Sequence, residues 1–150
     1  LHGWGRSRSD WASVLMGLEA LAVDLPGFGR SAAPRAAWDT RQYAAELADC
    51  LNEDRLTIVG HSFGGRVAVQ FAAAYPARVK SLVLTGVPLL HRSDRRAKAS
   101  LPYRLIRQAD RAGIVPASMM EAARKKYGSP DYRAAEGVMR SILVSAVNEE

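Results

Sequence analysis

A serine among glycines, Gly60-His61-Ser62-Phe63-Gly64-Gly65, follows the apolar run Leu56-Thr57-Ile58-Val59. It precedes an unbroken helical stretch, Arg66 to Ala74, that stops at Tyr75-Pro76. A hydroxyl is a weak nucleophile until the backbone holds it out and a base takes its proton. This spacing meets the first need. Glycines at 60 and 64 have no Cβ, so the chain can bend sharply between strand and helix and hold Ser62 strained with its Oγ exposed. The following helix aims its unpaired N–H groups, that of Phe63 among them, at the point where negative charge would develop. The chemistry implied is attack on an electrophilic carbonyl. A glycine-rich turn with an incidental serine is the plainer alternative, and the strand before and helix after weigh against it.

Two further segments matter: Leu1-His2-Gly3-Trp4-Gly5 at the start, and Val23-Asp24-Leu25-Pro26-Gly27-Phe28-Gly29-Arg30-Ser31. In this order and spacing the three segments resemble the α/β-hydrolase superfamily, in its cap-containing branch with a serine nucleophile. The likeness is close over about residues 1–90 and general beyond them. It implies a partial α/β-hydrolase fold, a parallel sheet flanked by helices with a helical cap segment. In that fold the His-Gly-x-Gly loop follows the third strand, the Asp-x-Pro-Gly segment the fourth and the serine turn the fifth.

The resemblance also implies that Ser62 forms an acyl-enzyme later hydrolysed by water. Its oxyanion would be held by the backbone N–H groups of Phe63 and Trp4. The substrate would be a small apolar ester-like molecule, and no cofactor is expected. Trp4 and Phe63 either wall the acyl pocket or, for Trp4, pack outward. Serine at 62 disfavours the dehalogenases and epoxide hydrolases of this fold, which carry aspartate there, and the dienelactone hydrolases, which carry cysteine. Carboxylesterase, C–C bond hydrolase, lactonase, cofactor-free haloperoxidase and acyltransferase stay open. The reading from another class is a non-catalytic hydrolase-like binding or structural protein.

In this superfamily the acid and then the histidine follow the nucleophile, after the seventh and eighth strands. The chain starts at Leu1 and closes at Asn148-Glu149-Glu150 on a helical pattern. The expectation is therefore an internal fragment, truncated at both ends and inactive by itself. Its three histidines are not assigned to the triad. His2 braces the oxyanion loop, His61 points away from the Ser62 hydroxyl, and His91 opens a basic run as a solvated loop residue. Among the acids, Asp94 pairs with its arginine neighbours and Asp24 ties down the turn at Pro26-Gly27.

The elements that must position these residues are legible in outline. Strands are expected at Leu21–Asp24, Arg55–Val59 and Val79–Thr85. Helices are expected at Asp10–Gly17 with Ser9 as N-cap, and from an Asp39 or Thr40 cap to Leu51. Strands alternating with helices imply a parallel sheet covered on both faces. Further helices are expected at Leu101–Ala112, Ala117–Tyr127 and Tyr132–Val147. The last carries Ala135, Val138, Met139, Ile142, Leu143, Ala146 and Val147 on one face. Met119 and Met120 fill the cap's own core or line a pocket. Residues 1–88 are read as the core and 89–150 as the cap.

In the superfamily the third strand lies between the fourth and fifth. Without it, Leu21–Asp24 would face a slot about two strand spacings, ~10 Å, wide. The isolated chain is therefore expected not to fold stably.

With 150 residues, 48% of them apolar, the composition fits one globular domain. No run is long and uncharged enough to span a membrane. No charged-then-apolar leader appears in these residues, which as an internal fragment leave secretion open; the expected compartment is the cytoplasm. Cys50, the single cysteine, allows no internal disulfide and is expected to be buried, and no Cys/His cluster has metal spacing.

The formal charge of +6 is uneven. Residues 1–90 hold nine Lys/Arg against eight Asp/Glu, and residues 91–150 twelve against seven. Arg104, Arg107 and Arg111 recur opposite Leu101, Leu105, Ile106 and Ala109, as on a solvated helix face, so no nucleic-acid partner is expected. Gly27-Phe28-Gly29-Arg30-Ser31-Ala32 fits a dinucleotide fingerprint, but Pro34 stands where the phosphate-binding helix should run. Oligomeric state is not legible.

Overall fold

The computed structural model describes residues 1–88, 106, 108–109, 113–127 and 129–149. At its centre β1 (Leu56–His61) and β2 (Val79–Thr85) pair in parallel, from Thr57 beside Ser81 to His61 beside Thr85. The crossover between them is α2 (Ser62–Ala74), followed by a 3-10 turn at Pro76–Arg78. Parallel strands need such a connection, and the helix lays Val67, Ala68 and Phe71, all fully buried, on the sheet. The second strand falls where the sequence puts it. The first runs two residues further than expected, so strand geometry reaches the residue before Ser62.

Among the described residues, the other side of β1 is occupied only at its end. The Leu1 ammonium donates to the Val59 carbonyl, and the His61 N–H donates to the Leu1 carbonyl at 3.0 Å. Leu1–His2 thus lie along β1 where the third strand was expected. The strand expected at Leu21–Asp24 is not formed. That stretch is irregular, Leu21 is 70% exposed, and among the described residues it has no ladder partner. Extended backbone becomes a strand only through a neighbour that takes its N–H and C=O groups.

Helix α1 (Thr40–Cys50) starts at the expected cap. The Asp39 carboxylate accepts the Gln42 N–H while the Gln42 side chain accepts the Asp39 N–H, a reciprocal capping box. Its buried stripe is Tyr43, Ala44, Leu47 and Ala48. Cys50 falls to one side of that stripe, which continues at Leu51, and it is exposed rather than buried.

The helix expected at Asp10–Gly17 is only a 3-10 turn, Arg8–Trp11, capped by Ser7 instead of Ser9, with separate turns after it. Val14, Met16 and Leu18 are exposed there, and so short a helix depends on packing that this segment does not receive.

Helix α3 (Ala117–Tyr127) lies as expected, with Met120 buried and Met119 half exposed. The long helix expected at Tyr132–Val147 is two helices, α4 (Pro130–Ala134) and α5 (Gly137–Asn148). Ala135 and Glu136 are both extended and separate the two helices, and Gly137, at φ 50°, is the left-handed first residue of α5. On α5, Ile142, Leu143 and Ala146 are buried, but Val147 is 62% exposed. The helix expected at Leu101–Ala112 lies largely outside the described residues.

One apolar cluster holds these layers together. Leu25, Phe28, Tyr43, Phe63 and Phe71 share it with Ile142 and Ala146 of α5. The segment expected as a cap therefore sends its last helix into the same core. Two polar ties reinforce this. The Glu149 carboxylate accepts the Thr40 N–H and hydroxyl at the start of α1, and Arg66 Nη1 donates to the Ala146 carbonyl at 2.9 Å.

Candidate active site

Ser62 is the first residue of α2 and sits at φ 49°, a left-handed conformation that a non-glycine residue adopts only when its surroundings impose it. The strain lies on the serine itself. Gly60 and Gly64 serve a different purpose from the bending expected of them, because they let other backbone come close. A methyl on Gly64 would stand 2.4 Å from the His2 carbonyl oxygen, and one on Gly60 2.6 Å from the Gly65 Cα. Sheet, helix and N-terminal loop can therefore meet around Ser62. The side chain is half-buried, and among the described residues its hydroxyl has no hydrogen-bond partner.

The N-terminal loop is fixed to this junction by backbone. The Gly64 N–H donates to the His2 carbonyl at 3.1 Å, so one of the free donors at the start of α2 is used for docking. A methyl on Gly3 would lie 3.5 Å from Ser62 Cβ and 3.0 Å from His61 Cδ2. Trp4 follows directly. Among the described residues, the N–H groups of Trp4 and Phe63 donate to no acceptor, which leaves both free near Ser62. The Trp4 indole packs edge-to-face on Phe28 and on Phe63, with centroids 4.9 and 5.2 Å apart. Phe63 meets Tyr43 in the same way at 5.2 Å, and the Tyr43 hydroxyl donates to the Pro26 carbonyl.

His2 acts as a brace. Its Nδ1 lies 2.8 Å from the Gly3 carbonyl and its Nε2 3.0 Å from the Leu25 N. A carbonyl only accepts and an amide only donates, so Nδ1 carries the proton and Nε2 is the acceptor. Burial depresses the imidazole below its ordinary value, against an opposing pull from the Gly3 carbonyl and Asp24. The His61 ring turns to the Thr85 hydroxyl, 3.1 Å from Nδ1, and packs beside Gly86. Neither histidine bonds to Ser62. His91 and Asp94 lie outside the described residues.

Asp24 ties down the loop after it. Its carboxylate accepts the Arg8 N–H at 2.7 Å and the Arg30 N–H at 3.1 Å, and these two bonds hold its carboxyl below the usual range. The tie lands on Arg30 rather than on Pro26-Gly27 themselves, while the Ser31 hydroxyl closes the loop onto the Asp24 carbonyl.

Beside Trp4 opens a cavity of about 340 Å³. One wall is Trp4, Gly5, Gly27 and Phe28. The other is Asp131, Ala134, Ala135, Glu136 and Met139, from α4, α5 and the break between them. Nothing in the sequence marks this groove, because Gly27 and Met139 are far apart in the chain. Phe28 and Tyr43 behind the serine turn were missed for the same reason. The pairing of an aromatic with the Gly-x-Gly loop was the only available hint of Phe28.

Among the described residues, no group of three His, Cys, Asp or Glu side chains could hold a metal, and no helix is long and apolar enough to cross a membrane.

The comparisons agree with this architecture. The family model of the alpha/beta hydrolase fold matches residues 1–140. Abhydrolase domain-containing protein abhd-5.2 of Caenorhabditis elegans is 37% identical over 95 residues, 56% of this chain and 21% of that protein. A 2-hydroxy-6-oxononadienedioate/2-hydroxy-6-oxononatrienedioate hydrolase of Paraburkholderia phymatum is 38% identical over 57% of this chain and 34% of its own length. The chain thus spans about a third or less of these curated relatives. A thermophilic esterase structure superposes with a TM-score of 0.59 at 21% identity, covering 97% of this chain and 57% of the esterase, which is a likeness of fold.

Proposed function

The chain belongs to the α/β-hydrolase family, and from that premise we propose that Ser62 is the nucleophile of a serine hydrolase acting on carboxylic esters or related acyl or C–C bonds. The observation that carries the reading is Ser62 at φ 49° on the first turn of α2, with the free N–H groups of Phe63 and Trp4 beside it. Strain of this kind costs about 1–3 kcal/mol and persists where surrounding structure imposes it.

The Ser62 Oγ adds to the substrate carbonyl carbon as its proton passes to a histidine of the full-length protein. His2 and His61 are both committed elsewhere. The carbonyl π electrons move to oxygen, and the Trp4 and Phe63 amides receive that oxyanion. Each such donor supplies about 3 kcal/mol of transition-state stabilisation. Collapse expels the leaving group, which takes the proton from histidine, and leaves an acyl-Ser62. Water, deprotonated by the same histidine, adds to the acyl carbon, and Ser62 Oγ leaves with the proton that the histidine returns, freeing the acid.

Fluorophosphonate labelling of the full-length protein tests the reading. Labelling that disappears in Ser62→Ala supports an activated nucleophile. Equal labelling of both proteins, or none of either, transfers the case to a non-catalytic hydrolase-like protein.

A further inference from the structure

Resting on that reading, we infer that the groove beside Trp4 holds the acyl side of the substrate, and that Asp131 and Glu136 restrict it to chains with no negative charge at their far end. Its position supports the first half. Trp4 lines the groove, and its backbone joins Gly3, which faces Ser62 Cβ. An acyl group whose carbonyl oxygen sits on the Trp4 N–H has its chain directed along the Trp4–Phe28 wall. At about 340 Å³ the groove is at the small end of the range for small-molecule sites, about 300–1,000 Å³, so it suits a short chain. Gly27 and Met139 set its floor, with Met139 Sδ lying where a Gly27 side chain would begin.

The charge of the lining supports the second half. Apart from Asp131 and Glu136 the lining is apolar, and among the described residues it includes no cationic side chain. Asp131 stands in the first turn of α4, and Glu136 precedes α5 without capping it through its side chain. Arg140 is not part of the lining; its Nε donates to the Ala135 carbonyl and its guanidinium lies over the Tyr132 ring. The chain's formal +6 attracts anions at long range. At physiological ionic strength, however, charges beyond about 8 Å are largely screened, so the two carboxylates at the groove decide what enters.

An isosteric pair of ligands tests this in full-length protein carrying Ser62→Ala, which binds without turnover. Methyl hexanoate and monomethyl adipate share one ester and chain length and differ in the distal carboxylate. Titration calorimetry should give methyl hexanoate a Kd roughly tenfold lower, the scale expected of two screened like charges. Adding Asp131→Asn and Glu136→Gln should bring the ratio of the two Kd values to within about twofold of unity. A ratio that survives these substitutions reflects only the burial of an anion among apolar groups, and overturns the role of the carboxylates. Equal binding before substitution, or binding of neither ester, also overturns the inference. Hydrolysis of p-nitrophenyl butyrate by protein with Ser62 intact, measured alongside, reports on the nucleophile independently.

Discussion

The Leu25 amide donates to His2 Nε2 at 3.0 Å, so one imidazole joins the loop bearing Trp4 to the loop that starts at Leu25. The ring is 1% exposed and fully occupied at both nitrogens. Replacing it by His2→Ala strands a buried amide, which costs about 1–3 kcal/mol. Burial lowers the imidazole below 6.5 in the folded protein, so near that pH the unfolded chain binds a proton that the native state refuses. Stability from this source is complete above 6.5 and is lost as pH falls through it towards the lower folded value. Urea unfolding of the full-length protein at several pH values from neutrality downward should show this loss. His2→Ala should flatten the profile, and an unchanged profile in the variant would remove His2 as its source.

The strain at Ser62 makes a prediction of opposite sign for stability and activity. Glycine adopts φ 49° freely, whereas for other residues left-handed backbone costs about 1–2 kcal/mol. Ser62→Gly should therefore raise stability by about 1 kcal/mol while ester turnover falls by a factor on the order of 10⁴ or more. Thermal unfolding and p-nitrophenyl ester assays on the same preparation decide it. A destabilised Ser62→Gly protein would mean the conformation is not strained.

Gly65 is the contact between α2 and the chain leaving β2. A methyl there would stand 2.1 Å from Val87 Cγ2, well inside van der Waals contact. Gly65→Ala should cost about 1–3 kcal/mol, as overpacking does, and Val87→Ala in the same protein should recover much of it by making room. Additive losses in the double variant, measured by denaturation, would exclude this contact as the cause.

What the sequence made legible was whatever depends on near neighbours. The Asp39–Gln42 box marks the start of α1, Val79–Thr85 is a strand at both of its expected ends, and the serine turn joins β1 to α2. Features that depend on distant partners were not legible. Leu21–Asp24 has strand composition but no ladder, and Cys50 has an apolar side chain on the wrong side of its helix. Periodicity runs straight through Ala135–Glu136, because a face of apolar residues does not register two extended residues between helices. Around the candidate site, the motif pointed to Ser62, Phe63 and Trp4 but not to the aromatic stack behind them or to Met139 across the groove. Those contacts join separate segments of the chain, Tyr43 with Phe63 in the stack and Gly27 with Met139 across the groove.

The last of these distant contacts is polar. Glu149 lies beyond the end of α5, and its carboxylate accepts both the N–H and the hydroxyl of Thr40, whose side chain is buried at the first turn of α1. A negative group there meets the positive end of the helix dipole, worth about 0.3–1 kcal/mol when exposed and up to ~2 kcal/mol when partly buried. Glu149→Gln keeps the shape and removes the charge, so it should cost about 1 kcal/mol. Thr40→Val removes the hydroxyl but keeps the N–H, so the two losses should fall short of additivity by about 0.5–1 kcal/mol in a double-mutant cycle. Because Arg66 secures the same end of α5 through the Ala146 carbonyl, the helix should stay docked in each single variant. Urea unfolding of the four proteins in the cycle measures the coupling, and strict additivity would show that Thr40 and Glu149 stabilise the protein independently of one another.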